Sequence, residues 1–195
     1  MSSILTSLPK AVIAGFLLTV VVFLINQNYD WAIDFWQFLF RYLHVLSSIM
    51  WIGLLWYFNF VQIPNMPNIP DEQKPAVSKV IAPAALFWFR WGAMATIITG
   101  LILAMLSGYL VDAILLGTQT GEGLIIGIGM WLGAIMWFNV WFVIWPNQKK
   151  ALGLVEADAD TKAAAARTAM LFSRTNTLLS IPMLFCMVAQ QNFMG

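Results

Sequence analysis

The chain has 195 residues, of which 61% are apolar and only 10% charged, with a formal net charge of +1. Soluble domains carry about 25% charged residues, so the composition is that of a membrane protein, and with no basic cluster to neutralise phosphates it excludes a nucleic-acid partner. A lone cysteine, Cys186, excludes a disulfide framework, a Cys-X-X-Cys redox or zinc site and covalent c-type haem attachment to this chain.

A helix needs about 20 apolar residues to cross a bilayer. Five stretches meet this, at about 9–27, 34–62, 79–110, 121–145 and 166–189. They predict an all-α, polytopic helix bundle forming a single integral membrane domain over residues 1–195. The first stretch reads as a retained signal anchor rather than a cleaved signal peptide. Its apolar run is long, and no small-X-small site follows it in Ile25-Asn-Gln-Asn-Tyr-Asp30. Lys10, Lys74, Lys79, Lys149, Lys150 and Lys162 fall on one set of loop ends, while the alternate loops hold only Asp30, Asp34, Asp112 and Glu122. The positive-inside rule then predicts a cytoplasmic N-terminus and an outside C-terminus, in a bacterial inner membrane. Trp31 and Trp36 are expected at the outer interface and Trp145 at the inner one.

The second stretch holds the only histidine, His44. An ionisable residue at membrane depth costs roughly 2.5 kcal/mol or more and marks a candidate functional site. Arg41, His44, Ser48, Trp51, Asn59 and Gln62 recur at helical spacing, as expected of a stripe facing protein or a cofactor rather than lipid. Two readings stand for His44: ligation of haem or metal, or a hydrogen bond to a carbonyl of a neighbouring helix. Arg41 either serves a bound group or snorkels outward and pairs with Asp34.

The third stretch places Arg90 near mid-membrane, with no carboxylate in any span to neutralise it. Haem propionates, an anionic substrate, a lipid headgroup or backbone carbonyls are its alternative partners. Gly92, Thr96 and Gly100 follow at spacing four, a surface that admits close helix approach. The fourth stretch is glycine-rich at Gly123, Gly127, Gly129 and Gly133 and sets Asn139 among Trp131, Trp137, Trp141 and Trp145. Glycines and tryptophans in such settings most often serve packing. Asp158 is placed to cap the alanine-rich start of the fifth helix, whose first turns stand in the cytosol. That helix continues through Ser173, Arg174, Asn176, Thr177 and Ser180 to Pro182. Arg174 either faces a bound group or snorkels, and Asn139 and Asn176 read as helix-bridging polar groups or as part of a site.

Three stretches carry a family resemblance: Arg41-Tyr-Leu-His44 continuing from Trp51 to Gln62, Trp145-Pro-Asn-Gln-Lys149, and Ser173-Arg-Thr-Asn176 through Pro182 to Met187. In order along the chain they resemble the membrane domain of the bacterial urate hydroxylases, of the urate oxidase N-terminal type. Members of that family are longer and often carry a C-terminal c-type cytochrome, which the predicted outward C-terminus would suit. A more distant likeness of the histidine helix is to haem-binding membrane proteins of the protoporphyrinogen oxidase type.

The expectation is a membrane redox protein binding haem b through His44. Arg41, Arg90, Arg174, Trp51, Ser48, Asn59, Asn139 and Asn176 complete the candidate cofactor-binding set. Electrons are expected to pass to a separate periplasmic cytochrome c or a quinone, with lipid and a homo-oligomer or larger complex as further partners. The alternatives are a non-catalytic accessory subunit of such a complex, and a transporter of a small anion.

Overall fold

The computed structural model describes residues 2–25 and 33–192. Among them every regular element is helical. Five helices are long and apolar enough to cross a membrane: α1 (Leu8–Ile25), α2 (Ile33–Asn68), α3 (Lys74–Leu106), α4 (Leu124–Ala151) and α5 (Ala159–Asn192). The number agrees with the sequence reading, while α2 to α5 extend beyond the predicted stretches at one or both ends. Apolar content marks where a helix lies in lipid, whereas intrahelical hydrogen bonds carry it on into polar flanks. Trp31 and Asp30 fall outside the described residues.

The chain divides into a unit up to Trp36 and a unit from Gln37 onward. In the first, α1 has no buried residue. Phe23 lies 5.5 Å, ring to ring, from Phe35.

In the second unit, α2, α3, α4 and α5 surround a core of Trp51, Leu55, Phe58, Leu86, Phe89 and Met136, with Phe58 edge-on to Phe89 at 5.8 Å. Small residues decide how closely the helices approach. A Cβ on Gly92 would lie 3.2 Å from the Trp51 backbone nitrogen, and one on Gly129 would lie 2.8 Å from Cβ of Cys186. Gly127 rests against the Ala113 carbonyl, in the short helix Leu110–Ile114 that precedes α4.

Three segments inside these helices are wound as π-helix: Tyr57–Gln62, Val77–Ile81 and Asn139–Ile144. Each is followed after one residue by a proline, at Pro64, Pro83 and Pro146. The cause is steric. Proline has no N–H and its ring collides with the carbonyl four residues earlier. Widening the turn shifts the bonding, so Ile63 donates to Phe58, Ala82 to Val77 and Trp145 to Val140, all five residues back.

The loop between α3 and α4 is organised by Asp112, 7% exposed. One carboxylate oxygen accepts from the backbone N–H groups of Gln119 and Thr120, and the other accepts from the Thr120 hydroxyl and the Gly123 N–H. At the start of α5, Asp158 accepts from the Thr161 N–H at 2.7 Å, so the predicted cap is in place.

Candidate functional site

The polar residues singled out in the sequence fall at two levels of the second unit. At the first level, His44 on α2 meets α3. Its Nδ1 lies 2.9 Å from the Thr96 carbonyl oxygen and 3.4 Å from the Thr99 hydroxyl. A carbonyl oxygen only accepts, so Nδ1 carries the hydrogen and Nε2 carries the lone pair. Among the described residues, no hydrogen bond is made at Nε2. The ring lies on Gly100, where a Cβ would come within 2.8 Å of Cε1 and 2.9 Å of Nδ1. Glycine at this position is what lets the imidazole reach the α3 backbone. The small-residue spacing on α3 signals a close helix approach but says nothing of which side chain fills it.

Arg41 lies one turn before His44, on the exposed side of α2. Its charge reaches Tyr109, beyond the end of α3. Burial raises that phenol above its ordinary range, and Arg41 acts against the rise. Ser48 turns its hydroxyl back to the Val45 carbonyl of its own helix.

The second level lies some 15 residues further along α2, roughly 22 Å at 1.5 Å per residue. Here Asn59 donates to the Leu55 carbonyl at 2.9 Å and to the Ser173 hydroxyl at 2.8 Å. Asn139 donates to Asn176 at 2.9 Å, and Asn176, fully buried, donates to the Met136 carbonyl. Trp56 donates through Nε1 to Ser180, whose hydroxyl donates to Thr177. Of the two readings for the asparagines, helix bridging is the one the bonds realise. Asn59 and Asn139 both belong to π segments.

Arg90 stacks on Trp145, its guanidinium carbon 3.4 Å from the ring centroid. Its Nη1 is buried without a hydrogen-bond partner among the described residues. Among the described residues Arg90 makes no ion pair, and an aromatic face takes the place of a carboxylate. The indole nitrogens of Trp51, Trp137 and Trp141 and the oxygens Oδ1 of Asn59 and Oε1 of Gln62 are likewise buried and unpartnered there. Arg174 lies on the exposed face of α5. Arg90 is thus placed at the second level with Trp145, apart from His44, and the nine candidates do not form one pocket.

Sequence reasoning missed Gln148 and Arg167, which line a cavity of ≈ 510 Å³ together with Gln62 and Ser173. It also missed the π turns, although a proline within an apolar helix, as at Pro64, Pro83 and Pro146, is a readable signal of an altered turn just before it. Among the described residues, no group of three or more His, Cys, Asp or Glu side chains comes together.

No curated protein and no solved structure matches the chain. A family match begins at residue 114, so it takes in Asn139, Arg174 and Asn176 and leaves out the stretch of α2 around His44. Residues 114–194 match the model of the family described as urate oxidase N-terminal, and two of the three stretches that carry the resemblance, Trp145–Lys149 and Ser173–Met187, fall inside that match.

Proposed function

We propose that the chain is a membrane redox protein related to the urate hydroxylase membrane domain. It holds one b-type haem through Nε2 of His44 and passes electrons to a separate cytochrome or quinone. One observation supports this reading above the others: the Nδ1–H of His44 is bonded to the Thr96 carbonyl at 2.9 Å. Histidines that ligate metals characteristically spend their second nitrogen this way, which fixes the tautomer and makes the ligating nitrogen more basic. His44 is therefore the residue that would hold a haem iron.

A bound haem supplies reversible one-electron transfer at its iron. The chain's own residues set the conditions for it. Thr96 orients the ring, Gly100 gives it room, and Arg41 places a cation one turn away along α2 to meet a propionate. With a single histidine per chain, bis-histidine ligation within one copy is excluded.

The test is an absorption spectrum of the detergent-purified protein expressed with ample haem. A Soret band, with reducible alpha and beta bands, is expected, and it should vanish in His44→Ala. A folded, monodisperse protein without these bands overturns the redox reading.

A second reading, a non-catalytic accessory subunit of a larger membrane complex, is favoured by the second level. There the Asn139–Asn176 and Asn59–Ser173 pairs are spent on joining helices. A colourless protein that co-purifies with stoichiometric partners would support it.

A further inference from the structure

We propose that the cavity at the lysine-bearing end of the second unit is a binding site for the head of a hydroquinone-type amphiphile. The cavity, ≈ 510 Å³, lies between α2, α3, α4 and α5, within the usual range for small-ligand sites. Phe58, Leu86 and Met170 give it apolar walls, and Gln62, Ser173 and Arg167 give it polar atoms.

Two of those polar atoms have hydrogen-bonding capacity left over. Oε1 of Gln62 is buried and accepts from nothing among the described residues. A buried acceptor left unpaired is destabilising, and such groups in native proteins are usually met by water or a ligand. The Ser173 hydroxyl, 6% exposed, accepts from Asn59, and the bond to the Leu55 carbonyl fixes which end of that amide faces it. Ser173 therefore has its own proton to donate. The occupant must offer a donor to Gln62 and an acceptor to Ser173.

Charge narrows the class. Among the described residues, Arg167 is the one cation lining the cavity and no carboxylate lines it, which disfavours a cationic ligand, while the exposure of Arg167 leaves its charge to solvent and so lets a neutral ligand bind. The methionine and Phe58 walls suit the faces and edges of an aromatic ring. A neutral ring bearing hydroxyl groups, carried on an apolar tail that partitions into lipid, meets every condition. Phe58 and Gln62, four residues apart on α2, share the helix face that forms this part of the wall.

This site is separate from His44 and does not depend on haem. The probe is decylhydroquinone, with its dimethyl ether as a control of the same shape that has no O–H donor. Binding to the detergent-purified full chain is read by tryptophan fluorescence and by thermal shift. Saturable binding is expected, with the ether weaker by about tenfold or more, and with Gln62→Leu and Ser173→Ala each weakening the hydroquinone to a similar degree. Met170→Trp, which fills the cavity, should abolish binding while the protein stays monodisperse.

Equal binding of hydroquinone and ether, or full binding by Gln62→Leu and Met170→Trp, would reduce the cavity to a slot for detergent and overturn the proposal. His44→Ala should bind the probe like the parent. A haem-loaded protein that ignores the hydroquinone sinks this inference alone. A haem-free one that binds it sinks only the redox reading.

Discussion

At His44, a carbonyl and a missing side chain act together. Thr96 holds Nδ1 and the bare Cα of Gly100 leaves the ring its place. Gly100→Ala should therefore push the imidazole off α3. The overpacking cost is about 1–3 kcal/mol, to be read as a lower midpoint in thermal unfolding in detergent, and in haem-loaded protein as a shifted Soret band. A wild-type midpoint and spectrum in this variant would refute the packing described here. Asn176 is a second single-residue case. Its side chain joins Asn139 to the Met136 carbonyl from a fully buried position. Truncation to alanine leaves Asn139 without its acceptor, so Asn176→Ala should cost about 1–3 kcal/mol. Adding Asn139→Ala should then cost clearly less than it does alone, since the two share one bond. Strictly additive losses in mixed-micelle unfolding would show the pair to be uncoupled.

At the scale of elements, the loop from Leu110 to Gly123 and the helix α4 depend on two contacts of different kinds. Gly127 lies on the Ala113 carbonyl, where no Cβ fits. Gly127→Leu should separate the short helix from α4 and lower stability by at least the overpacking range of about 1–3 kcal/mol, seen as easier proteolysis of the loop. Asp112 supplies the second contact. The Thr120 hydroxyl, followed by the N–H groups of Gln119, Thr120 and Gly123, holds its carboxyl below the usual carboxylate range in spite of burial. Because the folded pKa is depressed, the stabilisation is complete above the unfolded value of about 3.9 and is lost as pH falls from there through the folded pKa. Asp112→Asn should thus melt earlier than the parent at neutral pH, and the gap should close as pH drops below about 4. A gap independent of pH would remove the carboxylate from this role.

The same scale explains why the polar stripe of α2 was only partly readable. Periodicity at 3.6 residues per turn runs from Arg41 to Trp51, and the contacts of His44 and Trp51 with α3 follow it. Beyond Trp56 the helix widens into a π turn. One extra residue rotates the following face by about 100°. Asn59 therefore reaches Ser173 on α5 and Gln62 lines the cavity, although both were placed on the His44 face. Asn139 stands at the very start of the second widened turn, so its bond to Asn176 follows from the ordinary α-helical register of Leu124–Phe138. Arg90 shows a different gap in the sequence signal. The lack of a carboxylate in its own stretch, 79–110, is visible in the sequence, but its stacking on Trp145, far along the chain, is not.

For the whole molecule, five of the six lysines, Lys74, Lys79, Lys149, Lys150 and Lys162, lie in the helix ends that flank the α2–α3 and α4–α5 connections, and the sixth is Lys10 near the start of α1. The positive-inside rule predicts a cytosolic location for these ends, which thiol labelling can test. In a Cys186→Ser background, a cysteine at Lys150 should react with an impermeant thiol reagent only after the membrane is opened. One at Gln119 should react from the outside of intact cells. The reverse pattern would invert the topology and put the cavity on the outer side.

The sequence by itself determined the class of protein, the number of spans and the cap at Asp158. These depend on local quantities: the transfer free energy of some twenty neighbouring residues, and a carboxylate three residues from the N–H it accepts from. It also determined that His44 and Arg90 need partners, because desolvation of such groups does not depend on which neighbour relieves it. Only the tertiary structure decided who those partners are. Thr96 for His44, Trp145 for Arg90 and Ser173 for Asn59 are separated by 52, 55 and 114 residues. Their meeting depends on the rotation of each helix about its axis, set by glycine contacts and proline-induced π turns that a hydropathy pattern does not encode.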